Sequence, residues 1–174
     1  MLRDLGLLLT RSVIGLSFAA HGSQKAFGWF DGPGAEGAAG FMESLGFVPG
    51  KRYATLSSTS EMVAGSLLAL GLGGPLAPAM MVGTMLVASQ TAHKGKGFFA
   101  QSGGYELAAL YATSAVALAM SGPGALSLDG VFEFEALHDE RLAWFAVIGG
   151  VVAGLFALQA RTAPDAPAAQ SAAP

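Results

Sequence analysis

The sequence contains no cysteine. Structural disulfides, thiolate nucleophiles, iron–sulfur ligation and CxxC redox chemistry are therefore excluded within this chain, although the compartment stays open. Charge is scarce as well. Asp, Glu, Lys and Arg make up 12% of the residues and 52% are hydrophobic, whereas charged residues form about a quarter of an ordinary soluble domain. So few charges cannot cover a water-facing surface, and the composition reads as an all-α integral membrane protein. The net charge of -3 gives no argument for nucleic acid. There is no haem-ligand motif and no flavin or nucleotide fingerprint. At 174 residues the chain suggests one domain.

What is present is a series of long apolar runs. A spanning helix needs about 20 mostly apolar residues. Five segments qualify in whole or nearly so: Leu5–Phe27, Tyr53–Leu72, Pro75–Ala92, Tyr105–Ser121 and Leu142–Ala160. "MLRDLGLLLT", with "FAA" ahead of His21, has the outline of a signal peptide, but Arg11 interrupts it and the run continues to Phe27, so a retained first helix is expected. "GLGGP" marks a tight turn between the second and third helices. In the long first loop, residues 28–52, Phe41, Leu45 and Phe47 suit a short interfacial helix. Residues 130–141 are acidic. There Phe132 and Phe134 alternate with Glu133 and Glu135, which predicts a short extended piece over the bundle, and His138 belongs to a solvated loop. The expected division is a four-helix membrane bundle over 1–129, this acidic loop, a fifth spanning helix over 142–161, and an Ala/Pro tail over 162–174 with no core-forming residues, expected to be disordered.

Lys and Arg near helix ends set orientation. With five spans, one face carries Arg3 and Arg141, and the other carries Lys25, Lys51, Arg52, Lys94, Lys96 and Arg161. The second face is expected to be cytoplasmic, with the N-terminus outside, in the plasma (inner) membrane of a prokaryote.

Ionisable groups in a spanning helix are costly, so each is a candidate site. An up-and-down bundle brings the end of the first helix (His21, Gln24, Lys25), the start of the second (Glu61), the end of the third (Gln90, His93) and the start of the fourth (Tyr105, Glu106) to one membrane face. Lys25, Glu61, His93 and Glu106 are the candidate catalytic pocket, with Glu61 at its centre; His21, Gln24 and Tyr105 are candidate contacts to a bound molecule. Arg11 lies close to Lys25 around the helix but about 21 Å away along it. Its candidate partner is Asp129, as a structural ion pair at the opposite end. Plainer readings stand beside these: Lys25 and His93 as interfacial snorkelling residues, Glu61–Lys25 as an assembly contact. His21, His93, Glu61 and Glu106 offer metal donors, but no local spacing supports a metal site and none is assigned. Gly150 and Gly154 form GxxxG, which suits either docking on the chain's own bundle or a homo-oligomer.

The stretches "TRSVIGLSFAAHGSQKAFG", "AAGFMESLGFVP", "SSTSEMVAGSLLALGL", "PLAPAMMVGTMLVASQTAHKGKGFF", "GGYELAALY" and "GPGALSLD" follow one another over residues 10–129. In this order they resemble the DoxX family of small membrane proteins. The resemblance implies a four-helix membrane bundle, from which the fifth helix departs. It also implies an association with redox chemistry, since some relatives are membrane subunits of thiosulfate:quinone oxidoreductases and others resemble parts of membrane redox-defence complexes. A quinone would suit the polar cluster: Lys25, His21, His93 and Tyr105 as donors, Glu61 and Glu106 as proton relays, and Lys25, Lys94 and Lys96 as attraction for a thiosulfate-type anion. Electrons would then come through bound quinone or a soluble or membrane partner subunit. The leading expectation is a membrane subunit of a quinone-linked oxidoreductase. The alternatives are a non-catalytic scaffold for a soluble redox enzyme and a small-solute transporter.

Overall fold

The computed structural model describes residues 1–162, and among these there are helices and turns but no strand. Five longer helices form the bundle: α1 (Leu2–Phe27), α3 (Gly50–Leu70), α4 (Leu76–Gln90), α5 (Glu106–Ser121) and α7 (Glu140–Gln159). Two shorter ones lie in the connections, α2 (Gly34–Ser44) and α6 (Leu128–Val131). The five runs read from hydropathy thus appear within a few residues of their expected bounds, and the short helix expected around Phe41 is α2. Apart from Thr162, the tail expected to be disordered lies outside the described residues.

The core is the reverse of a soluble one. Its buried positions are mostly small (Ala54, Ala64, Ala77, Ala108, Ala115, Ala143), with Phe18, Leu68 and Met81 between them. Large apolar side chains point outward instead: Leu9, Val13 and Leu16 on α1, Leu110 on α5, and Trp144, Phe145, Ile148 and Phe156 on α7. Lipid provides no hydrophobic drive to bury them, and small residues allow the close backbone packing that holds helices together in a bilayer. This is an all-α membrane helix bundle. α1 and α7 have both the length and the apolarity to cross a membrane. α4 and α5 are apolar but have 15 and 16 residues, about 22–24 Å at 1.5 Å each, and α3 is long enough but carries Ser57, Ser58, Thr59, Ser60 and Glu61 around its middle.

Two seams position the site. On α1, Arg11, Gly15, Phe18 and Gly22 are buried at spacings of four, three and four, and Lys25 continues the stripe. On α3 the matching stripe is Gly50, Ala54, Ser58, Glu61, Gly65 and Leu68. These spacings place each set on one helix face. A Cβ at Gly15 would overlap the Gly65 carbonyl, and one at Gly65 would overlap the Gly15 carbonyl and the Ala19 amide, so the α1–α3 crossing requires glycine on both sides. The second seam joins α4 and α7. A Cβ at Gly154 would lie 2.8 Å from the Gly83 carbonyl oxygen, one at Gly83 would lie 2.7 Å from the Gly150 carbonyl oxygen, and Gly150 meets the Ala79 backbone. The GxxxG pair therefore docks α7 on α4 within the chain.

The acidic connection differs from the expected extended piece. Phe132 N donates to Leu128 O, Phe134 N to Asp129 O and Leu137 N to Phe134 O. With no strand beside it to form a ladder, the segment satisfies its backbone locally, as α6 followed by a 3-10 turn over Glu135–His138. Phe132 and Phe134 still come together as the alternation with the glutamates expects, their rings 5.7 Å apart.

Candidate functional site

Lys25, near the end of α1, reaches across the first seam to Glu61 on α3. Its Nζ lies 2.5 Å from Glu61 Oε1 and 3.3 Å from Ser57 Oγ. Glu61 is almost wholly buried, with 3% of its side chain exposed against 30% for Lys25. The long lysine stem lets an apolar chain cover the seam while the ammonium meets the carboxylate. Glu61 Oε2 is buried and has no hydrogen-bond partner among the described residues. A buried acceptor in that condition costs about 1–3 kcal/mol, more when charged, so the pair is only half satisfied by the protein.

The pair stands on the wall of a cleft of about 540 Å³. The cleft exists because α7 packs on α4 and touches α5 but makes no comparable contact with α3. α4 forms the back wall, with Met80, Gly83, Thr84, Val87 and Ala88; α3 supplies Leu56, Ser57, Ser60 and Glu61; α7 supplies Ala146, Gly149, Gly150, Ala153 and Ala157; and Phe41, Leu45 and Phe47 close one end. The lining is apolar apart from a few hydroxyls and the ion pair, which is the usual make-up of a small-molecule site.

The other residues expected in this pocket do not reach it. His93 Nδ1 lies 2.7 Å from the Gly103 carbonyl oxygen, and the Glu106 carboxylate accepts from Ala100 N at 2.8 Å. Both fold the 91–105 connection onto itself, because a turn-rich loop at a membrane face leaves backbone groups that need partners. Tyr105 is exposed and packs edge-on against Phe98. His21 packs edge-on against Tyr111 of α5, 5.9 Å between ring centres, with Nδ1 3.2 Å from Gln24 Oε1. Gln24 Nε2 donates to Phe30 O and braces the turn after α1. The convergence of four helices at one end is real, but only Lys25 and Glu61 of the seven residues line the cleft. Among the described residues no three His, Asp or Glu gather as metal ligands.

Arg11 and Asp129 come to the same corner without pairing. Arg11 donates to Ala69 O at 2.6 Å and to Leu126 O. Asp129 is completely buried and accepts from Gly73 N at 2.9 Å and Gly74 N at 2.6 Å. The expected ion pair is replaced by two backbone clamps, for a simple reason: the end of α3, the turn after it and the connection before α6 present carbonyls and N–H groups with no helical partner. The guanidinium takes the first kind and the carboxylate the second.

Arg161 was legible in the sequence only as a positive charge. In the structure its Nε donates to Leu45 O at 2.7 Å and its guanidinium carbon lies 5.9 Å from the Phe47 ring centre. Thr162 N donates to Gly46 O at 2.8 Å. The end of α7 is thereby tied to the loop between α2 and α3, at the closed end of the cleft.

Fold and site together define a small membrane helix bundle holding an apolar cleft with one buried ion pair. The DoxX family model matches residues 6–94, just over half of the chain, and the protein belongs to the DoxX family. The match takes in α1 to α4, and with them Lys25, Glu61 and the back wall of the cleft; α5 and α7 fall beyond it. No curated protein and no solved structure matches the chain.

Proposed function

We propose that this DoxX-family protein is the membrane subunit of a quinone-linked oxidoreductase and that the cleft between α3, α4 and α7 is its quinone site. One observation carries the reading: an apolar cleft of about 540 Å³ with a buried, half-satisfied carboxylate and its lysine on the wall. A quinone headgroup and the first part of its tail suit such walls, and its carbonyl oxygens need a hydrogen-bond donor, which Lys25 supplies beside Glu61. Interconversion of quinone and quinol moves two electrons and two protons. Glu61 is the proton-relay residue, and Lys25, part exposed at the helix end, connects it to the membrane face. The chain has no cysteine and no haem or flavin motif, so the electrons come from a reduced substrate, such as a sulfur oxyanion, or from a partner subunit.

Absorbance of an organic extract of the purified protein tests the reading. Quinone in either redox state should co-purify with the wild type and fall in amount in Glu61→Gln, which keeps the size of the side chain but loses the buried carboxylate, while the helix content stays unchanged. A Glu61→Gln variant that loses stability but retains its quinone makes the pair structural only.

A scaffold role has one observation of its own. Trp29, Phe30, Phe98 and Phe99 are exposed on the connections at the Lys25 end of the bundle, beside Lys94 and Lys96. Retention of a soluble redox enzyme on the detergent-solubilised protein, lost on Phe98→Ser with Phe99→Ser, would favour that reading.

The orientation proposed from the Lys and Arg distribution places the Lys25 end in the cytoplasm. With no native cysteine, single reporters at exposed positions of the two ends, Gln101→Cys and His138→Cys, test it. An impermeant thiol reagent on intact cells should label His138→Cys alone.

A further inference from the structure

The cleft's polar groups are unequal in what they leave free. Thr84 donates to Met80 O at 2.9 Å and Thr91 to Val87 O at 2.7 Å. With the Thr84 proton engaged, the 3.3 Å contact between Ser60 and Thr84 is made by the Ser60 proton. Lys25 directs two of its three protons to Glu61 Oε1 and Ser57 Oγ, and its third, like the Tyr53 hydroxyl, can serve the oxygens of quinone and quinol alike. The group left without a partner among the described residues is an acceptor, Glu61 Oε2, shielded on the wall of the cleft, so a ligand meets it as the Glu61 carboxylate turns toward the cleft. A carboxylate paired with an ammonium accepts hydrogen bonds and donates none. A ligand that completes this site must bring a proton of its own.

We propose that the cleft selects apolar ligands bearing a phenol-type hydroxyl donor and so, within the quinone reading on which this rests, holds the quinol in preference to the quinone. An oxidised quinone presents only carbonyl oxygens. Set against Glu61 Oε2 these give two facing acceptors, and the desolvated carboxylate stays unpaired. A quinol hydroxyl closes the gap with a charge-assisted hydrogen bond. The apolar remainder of either form meets the same walls, so the difference falls on this one contact.

The test uses the full-length protein in detergent and two matched probe pairs, with affinities expressed as mole fraction in the micelle. 4-Nonylphenol and its methyl ether, 4-nonylanisole, differ in the donor alone and carry no quinone chemistry. Duroquinol and duroquinone differ in redox state. The phenol should bind about tenfold more tightly than the ether, and the quinol about tenfold more tightly than the quinone, the value of one hydrogen bond to a charged group. In Glu61→Gln, where one oxygen becomes an NH2 donor, both ratios should fall to about one or reverse. Because the wild-type ratios are measured without any substitution, the test does not depend on the variant folding. Equal binding of phenol and ether overturns the donor requirement. Preference for the phenol with no binding of either duroquinone form overturns the quinone reading and leaves the donor requirement standing. Failure of all four probes to bind overturns both.

Discussion

The bundle buries a carboxylate near each end, and the two are held in opposite ways. Asp129 has both oxygens filled by backbone N–H groups of the turn after α3. Glu61 has one oxygen filled by Lys25 and the other by nothing in the described chain. The cationic groups divide less cleanly: Arg11 gives its terminal nitrogens to backbone carbonyls at one end but keeps Nε buried without a partner among the described residues, while Lys25 meets a side chain at the other. A charge that closes a helix end is part of the fold. A charge left half satisfied beside a cavity has capacity for a ligand. Burial alone does not separate the two, since both carboxylates are almost fully shielded.

Removing the carboxylate charge at each end gives the largest contrast in stability. Asp129→Ala leaves two buried N–H groups without an acceptor, at about 1–3 kcal/mol each, so a loss of about 3 kcal/mol is expected in thermal unfolding in detergent. Asp129→Asn keeps one acceptor oxygen and should lose about half as much. Glu61→Gln removes no backbone contact but weakens the charge-assisted bond from Lys25, and should cost about 1.5 kcal/mol, half the loss expected for Asp129→Ala. Equal losses for Asp129→Ala and Glu61→Gln would erase the comparison.

Next in size is the α4–α7 seam. Gly150→Ile drives a branched side chain into the Ala79 backbone, and overpacking of this kind costs about 1–3 kcal/mol. α7 is the cleft's third wall, so ligand binding should be lost together with that stability, while the α1–α3 seam with its Lys25–Glu61 pair remains. Retained binding would place the ligand elsewhere on the bundle.

The Arg11 corner separates clamps from an ion pair by sign. In a direct buried pair, removing the second partner relieves the charge stranded by removal of the first. Here each side chain serves its own backbone groups. Arg11→Leu with Asp129→Asn should therefore be less stable than either single variant, by about 1 kcal/mol or more, since further backbone groups are orphaned. A double variant more stable than Arg11→Leu would restore the ion pair.

The difference between the two ends also explains what the sequence could and could not reveal. Helix existence was legible because apolar runs of spanning length leave few alternatives, and the stripes Arg11, Gly15, Phe18, Gly22, Lys25 and Ala54, Ser58, Glu61, Gly65, Leu68 carry the α1–α3 seam openly. Lys25 beside Glu61 follows from those stripes. The cleft does not, because its shape depends on where α7 docks, and GxxxG specifies a close approach without naming the partner helix. His93 and Glu106 were misplaced for another reason. Connectivity brings them to the right end, but the 91–105 connection needs their hydrogen-bonding groups for its own backbone. Arg11 and Asp129 repeat the lesson: opposite charges near one corner suggest a pair, yet unpaired helix-end groups compete for both.

The smallest expected effect concerns Arg161, where the cleft and a structural clamp meet. Its guanidinium bonds Leu45 O and lies near the Phe47 ring, and the neighbouring Thr162 amide bonds Gly46 O. Leu45 and Phe47 are themselves cleft-lining residues. Arg161→Ala removes one hydrogen bond and a cation–π contact worth about 0.5–1 kcal/mol in a part-exposed setting. Because the contact joins the end of α7 to a connecting loop and leaves both glycine seams intact, global unfolding should shift by no more than about 1 kcal/mol. The change should appear locally, as faster amide hydrogen exchange over residues 45–48 and 160–162 with rates in α1 and α3 unchanged. Arg161→Lys keeps the charge but not the guanidinium geometry and should recover only part of the protection. Faster exchange spread over the whole bundle would make Arg161 a support of the core, while unchanged exchange at 45–48 would show that the latch does not hold the cleft's end closed.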